Sequence, residues 1–421
     1  MNNKNALCAF LDASPTAFHA VNNIKTTLLA EGYTELYEND AWALSDGGKY
    51  FVIRGGTALM AFAYQANAAG FLVASAHSDS PTFRVKGEET CAGAYTRLSV
   101  ERYGGAVNNT WFDRPLSVAG RVMVKDGDAL VSRLVAFDRD LCIIPTLAPH
   151  LNRNENFIPN IAVDMQPLCA LGEANGAFRS ALAAELCVGE DAIVSHDLYL
   201  YNRDGARTVG LHGELIASGR IDDLGAVFSA LHGFLGATPN GNVPVLAVFN
   251  NEEVGSMTCE GAASTFLLDT LRRIAGDRLP EMVASSFMVS ADNGHALHPN
   301  HPEFSDKSNA PTLGGGLMIK NNSNRSYATD GFTEAVFRTV CERAGVKVQT
   351  YYNRADLRGG STLGAISDTV VAIPTVDIGL PQLAMHSSYE CAALSDVDGM
   401  TDALCAFFSS AYRKCGDRVT L

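Results

Sequence analysis

Val245 to Phe249 is a short, wholly apolar run that stops abruptly at Asn250-Asn-Glu-Glu253. A run of this length without polar alternation reads as a strand buried on both faces, in a parallel sheet covered by helices. Ligands in open α/β sheets bind beyond the carboxyl ends of the strands. Glu252 and Glu253 therefore stand where a site is expected. An isolated Glu-Glu pair is ordinarily a solvated strand exit. In a poorly solvated place, two adjacent carboxylates repel unless a cation or a proton compensates them. What the rest of the chain delivers to the same rim decides between those readings.

Other runs of this kind end in similar chemistry. Phe71–Ala76 leads into His77-Ser-Asp79, and Phe287–Ala291 into Asp292. Val370–Ile378, interrupted by Pro374, has His386 beyond its end, and Asp222 precedes a helix-like segment, Leu224–Leu235. Singly these are weak signals. A lone histidine is more often a satisfied polar group than a ligand, and an aspartate before a helix is usually a cap. In a parallel sheet, however, such ends converge on one rim, and so many imidazoles and acids there point to a site.

The expected scaffold follows the same logic. Ser14-Pro15 opens a helix as N-cap and first helical residue, with Phe18, Val21, Ile24 and Leu28 at helical spacing and Gly32 closing it. Tyr50–Arg54 and Ala58–Ala63 read as a hairpin about Gly55-Gly56. Further helices are expected near Ala262–Ile274 and Thr333–Ala344. From about 85 to 213 the βαβ rhythm is absent, and short alternating strands such as Leu116–Val124 take its place. The chain therefore reads as an α/β body of residues 1–84 and 214–421, with a β-rich domain inserted at 85–213.

Composition removes several function classes. With 32 basic and 46 acidic residues the net charge is −14, so there is no basic excess to neutralise a nucleic acid. No apolar run approaches the roughly 18 residues of a membrane helix. The amino-terminal stretch lacks the apolar segment of a signal peptide and reads as mature protein. No nucleic-acid or membrane partner is expected. The ten cysteines include no Cys-x-x-Cys pair, which argues against a zinc ribbon or disulfide framework and for free thiols in the cytoplasm.

Charge arithmetic favours metal at the rim. Clustered, partly buried carboxylates such as Asp222, Glu253 and Asp292 cost several kcal/mol each or take up protons unless cations compensate them. Asp, Glu and His suit zinc, with cobalt or manganese as substitutes. Two metals about 3.5–4 Å apart share a bridging carboxylate, acidify a water towards a pKa of about 7 and leave a second carboxylate to take its proton. Glu252 and Glu253 divide into base and ligand, though the residues alone do not say which is which. The reaction class is hydrolysis of a carbonyl compound such as a peptide bond.

The text around these residues resembles the M18 metallopeptidases, the aspartyl aminopeptidase family. The resemblance rests on Ser14-Pro-Thr-Ala-Phe-His-Ala-Val21, Ala76-His-Ser-Asp-Ser-Pro81, Thr110-Trp-Phe-Asp-Arg114, Asn154-Glu-Asn-Phe157, Arg220-Ile-Asp222, Asn251-Glu-Glu-Val-Gly-Ser256, Ser290-Ala-Asp-Asn-Gly-His295, His298-Pro-Asn300 and Leu380-Pro-Gln-Leu-Ala-Met-His-Ser387. These lie in order along nearly the whole chain. The resemblance implies a zinc-exopeptidase-like three-layer catalytic domain with a mixed, largely parallel sheet. It implies that His77, Asp222, Glu253, Asp292 and His386 bind two zinc ions, with Asp222 bridging, Glu252 as general base and Asp79 orienting His77. It points to His295, Lys320, Tyr327 and His150 for peptide substrates, with Lys320 suited to an acidic first side chain. It implies a tetrahedral dodecamer built from dimers through the inserted domain, with His150 reaching a neighbour's site. Two departures stand out. Asp223 replaces the asparagine usual after the bridging aspartate, leaving open which of the two acids bridges. Arg354-Ala-Asp-Leu-Arg-Gly-Gly360 lacks a cysteine found in some relatives, and Asp356 is expected to pair with Arg358. A di-zinc deacylase or carboxypeptidase on the same body is the enzymatic alternative, and a non-catalytic metal-binding cage the other.

Overall fold

Nine strands form one mixed sheet, in the order Thr34–Leu36, Lys49–Arg54, Ala58–Ala63, Val243–Phe249, Phe71–His77, Phe287–Ala291, Thr375–Gly379, Leu317–Asn321, Val348–Tyr352. The computed structural model describes residues 3–151, 156–357 and 359–421. The four central strands, from Val243–Phe249 to Thr375–Gly379, run parallel, while Ala58–Ala63 and Leu317–Asn321 flank them antiparallel. Their continuous apolar text has the expected cause. Successive side chains alternate between two faces, and both faces are covered. Leu72, Ala74, Leu246 and Val248 face one core, with helices Ala17–Ala30, Ile221–Gly236, Gly331–Ala344 and Leu394–Phe408. Phe71, Val73, Val245 and Phe249 face the other, with Phe266–Ala275 and Leu279–Ala284. Fully burying one such phenylalanine contributes roughly 1.5–3 kcal/mol. The architecture is therefore a three-layer α/β fold.

A six-stranded antiparallel sheet lies between Thr82 and Asn202 and has a hydrophobic core of its own, with Phe83, Trp111, Phe137 and Leu198 fully or almost fully buried. A third sheet, of five short strands, is ordered Arg207–Val209, Leu215–Ser218, Glu390–Ala393, Pro381–Leu383, Gly294–His295.

Three local expectations need correction. A helix at Asn3–Ala13 precedes the one expected to be first, and that second helix begins at Ala17 with Thr16 as its N-cap. Ser14 is instead buried between the two helices and accepts from Asn23 Nδ2 at 3.0 Å. The Val370–Ile378 run is not one strand. The strand is Thr375–Gly379, directly after Pro374, since proline lacks the N–H a central ladder needs. His386 therefore does not follow that strand directly, because Pro381–Leu383 of the five-stranded sheet intervenes.

Candidate metal centre

The central strands deliver their ends to one place. His77 closes the strand Phe71–His77, and Asp292 immediately follows Phe287–Ala291. Gly379 permits this approach, because a Cβ there would lie 2.3 Å from the Asp292 carbonyl oxygen. Glu252 and Glu253 form a single 3₁₀ turn, Glu252–Val254, entered through Asn251 at φ 59°. Asp222 and Asp223 sit at the start of Ile221–Gly236 with non-helical torsions, joined by a cis peptide bond. His386 has φ 65° in the loop after Pro381–Leu383.

Three overlapping groups of donor atoms result, each within 4.8 Å: His77 with Asp222, Asp223 and Asp292; His77 with Glu252 and Glu253; and Asp222 with Glu253 and His386. The two oxygens of Asp222 face different imidazoles. Oδ1 is 3.5 Å from His77 Nε2, and Oδ2 is 3.5 Å from His386 Nε2. Glu253 Oε2 is 3.4 Å from the same His386 nitrogen. These distances exceed the 2.7–2.9 Å of a charge-assisted hydrogen bond. They match the separation of roughly 3.3–3.5 Å between two donors sharing one tetrahedral zinc ion at about 2.0–2.1 Å. Asp222 Oδ1, Asp223 Oδ1 and Glu253 Oε1 are buried without a hydrogen bond. The donor set thus fits a divalent metal, and Asp222 belongs to two of the three groups where Asp223 belongs to one. Asp223 Oδ2 instead accepts the His77 backbone N–H at 3.2 Å.

The electrostatics of the protein alone are those of crowded acid. Burial, with Asp292, Asp79 and Asp222 nearby, pushes Glu252 up to about 8. Burial raises Glu253 and Asp223 well above the usual carboxylate range, and raises Asp292 despite the Lys320 ammonium. Burial also opposes ionisation of Asp222, but His386 and His77 outweigh it and hold that carboxyl low. Burial opposes the charged form of His77 too, yet Asp223, Asp222 and Asp79 raise it. A divalent cation would relieve this repulsion.

Two buried acids organise the cluster. Asp79 Oδ1 accepts from Glu252 N at 3.1 Å, and Oδ2 from Glu253 N at 3.2 Å and Tyr103 Oη at 2.7 Å. Its backbone carbonyl lies 3.0 Å from His77 Nδ1, which leaves Nε2 for the cluster. The Asp79 carboxylate, expected to orient His77, is farther from that ring, with Oδ1 at 3.4 Å from Nδ1, and is spent on the Glu252-Glu253 turn. Glu390, with no expected role, is 1 % exposed and accepts from Asp222 N at 3.0 Å and His386 N at 2.7 Å. Burial and Asp222 push its carboxyl up to about 8, while the two N–H donors pull it the other way. Its signal in the sequence is one acid opening an otherwise apolar strand, Glu390-Cys-Ala-Ala393.

The expected substrate residues are less united. His295 and Tyr327 line one cleft of about 410 Å³, together with His298, His301 and Arg354. Lys320 is not among its lining residues. It is a buried strand residue, 3 % exposed, with Nζ 3.6 Å from Asp292 Oδ1 and over the Tyr327 ring. His150 is exposed in a turn of the inserted segment, and the described residues bring it to none of the three donor groups. The Asn154–Phe157 motif begins outside the described residues. Asp356 pairs with Arg354, at 2.6 Å, and its expected partner Arg358 lies outside the described residues.

Comparison with known proteins agrees with this geometry. The family described as "Aminopeptidase I zinc metalloprotease (M18)" matches residues 10–408. A probable M18 family aminopeptidase 2 of Clostridium novyi is 42% identical over 411 residues, covering 93% of this chain and 95% of the relative. Among solved structures, the Ape4 and Nbr1 complex superposes with a TM-score of 0.93 at 33% identity, covering 96% of this chain and 85% of that one. The S. cerevisiae mApe1 dodecamer gives 0.86 at 25%, covering 97% and 96%. The chain belongs to the M18 family of zinc metalloproteases and is a metalloaminopeptidase, a peptide hydrolase.

Proposed function

We propose a di-zinc aminopeptidase in which His77, Asp222 and Asp292 hold one ion and Asp222, Glu253 and His386 the other, with Glu252 as general base. The observation that carries this reading is Asp222, whose two oxygens face two imidazoles at the same 3.5 Å. Bound zinc, or cobalt or manganese in its place, would polarise the scissile carbonyl and acidify the attacking water. The chain's own residues do the rest. Glu252 takes the water's proton as the oxygen adds to the carbonyl carbon. It returns that proton to the amine as the C–N bond breaks. A buried carboxyl that binds a proton readily suits both transfers. Lys320 balances Asp292, and Asp79 keeps the Glu252 turn in place.

The cleft beside Tyr327 is our site for the first side chain of the peptide. Its histidines offer ring N–H donors to an acidic side chain, with the Lys320 ammonium close behind Tyr327. For the inserted segment we propose a role in homo-oligomer contacts, on the pattern of the mApe1 dodecamer, with His150 acting at a neighbour's site. Exposed Leu147, Leu151, Ile158 and Val163, on either side of His150 in the sequence, support that role. A tetrahedral dodecamer is the assembly we expect. All ten cysteines are free, which fits a reducing compartment such as the cytoplasm.

Glu252→Gln tests the base. We expect kcat to fall by about 10²–10⁴ with both metals retained. Full activity in that variant removes Glu252 from the mechanism. A panel of aminoacyl chromogenic substrates tests specificity, and faster turnover of leucyl than aspartyl substrates refutes the acidic preference. Light scattering tests the assembly, because a fully active monomer excludes a shared site.

A further inference from the structure

Asp222 and His386 reach the cluster on backbone that no regular element fixes: one on a non-helical turn, the other at positive φ. The strand Glu390–Ala393 lies between the two strands that deliver them. On one side it pairs with Leu215–Ser218, in register Ser218 to Glu390, and that strand runs on through Arg220 to Asp222. On the other it pairs with Pro381–Leu383, which runs on through Ala384 to His386. Glu390 opens the middle strand at the point where the outer two give way to the ligand loops. Each of its oxygens is spent on one backbone N–H, that of Asp222 or that of His386.

We propose that Glu390 is a positioning residue for the metal centre, its one carboxylate setting the spacing between the Asp222 and His386 donors. The inference rests on the di-zinc reading above. The two hydrogen bonds of Glu390 go to backbone N–H groups and it does not line the cleft, so it acts through the two backbones. A glutamate has the required shape, because the two N–H groups it accepts from favour its ionised form, which has two acceptor oxygens and no donor. Glutamine has the same size but only one acceptor. Its NH₂ would oppose an N–H, and one ligand loop would have to move.

The test is Glu390→Gln, with zinc affinity read by competition against a chelator. We expect the zinc dissociation constant to rise by about 10–100-fold, the usual cost of a lost supporting contact. kcat should fall at zinc levels that saturate the wild type and recover as zinc is raised, with peptide KM little changed. Metal-free variant and wild type should melt together. Unchanged zinc affinity overturns the proposal, and a lowered metal-free melting temperature with wild-type affinity would assign Glu390 to folding alone. If the variant does not fold, amide exchange in the metal-free wild type decides: the Asp222 and His386 N–H groups should be protected, and fast exchange of either overturns the proposal. Failure of the wild type to bind zinc would instead sink the di-zinc reading.

Discussion

The two sides of the centre are held by the same device used in opposite ways. Asp79 accepts the N–H groups of Glu252 and Glu253, adjacent residues of one tight turn. Glu390 accepts those of Asp222 and His386, which come from loops far apart in sequence. Asp79 therefore fixes the shape of one turn, and Glu390 fixes the distance between two segments. The six-stranded unit touches both sides. It reaches the Asp79 side through the Tyr103 hydroxyl. It reaches the His386 side through the Val107 N–H, which donates to the His386 carbonyl at 2.9 Å, and through Gly105, where a Cβ would sit 3.1 Å from His386 Nδ1. Neither the Glu252 turn nor the His386 loop is held by the three-layer body alone.

If that contrast is right, breaking the Asp79 side should damage chemistry more than metal affinity. Asp79→Asn keeps the size but leaves one acceptor for three donors, so the Glu252 turn loses a hydrogen bond. We expect kcat/KM to fall by about 10–100-fold. The fall should persist at zinc concentrations that rescue Glu390→Gln. Identical zinc rescue of the two variants would erase the distinction between the two sides. Tyr103→Phe is the milder version. It removes one donor to Asp79 and the acceptor of Asn251 Nδ2, which lies 2.9 Å from the hydroxyl. The loss of about 1 kcal/mol typical of one hydrogen bond corresponds to roughly fivefold in kcat. Zinc content, measured by atomic absorption, should be unchanged.

The contrast also explains what the sequence reveals. Asp79 is legible because it follows His77 by two residues at a strand end, where acids are conspicuous. The parallel core is legible because buried strands are continuous apolar runs. Glu390 shows only as a lone acid opening an apolar strand, and its role is not legible, since its partners are main-chain groups of other elements. The five-stranded sheet is hidden for a related reason: its strands have two to four residues, too few for any period to show. The helix Asn3–Ala13 leaves little trace in the sequence because only Leu7 and Leu11 are deeply buried, too sparse a stripe to announce it. Lys320 is offered by the sequence as a substrate contact, and its polar downstream neighbours, Asn321 and Asn322, carry no strand signal. The strand that buries it against Asp292 is set by pairing with distant segments.

The smallest effect we predict separates the charge of the Glu252 side from its geometry. In the metal-free protein burial raises Glu252 from an ordinary 4.5 to about 8. Between those values the folded chain holds a proton that the unfolded chain has released. Stability from this group is then fully present below about pH 4.5 and declines as pH rises towards about 8. Glutamine cannot titrate, so Glu252→Gln should flatten part of that slope. The comparison is the melting temperature of chelated wild type and chelated variant at intervals from pH 5 to 8. The wild type should lose ground to the variant as pH increases. Restoring zinc should shrink the difference, because the cations supply the positive charge that the proton otherwise provides. A gap that stays constant across this range would mean that Glu252 is already ionised in the metal-free fold. The crowding of acids would then be relieved at Glu253 or Asp223 instead.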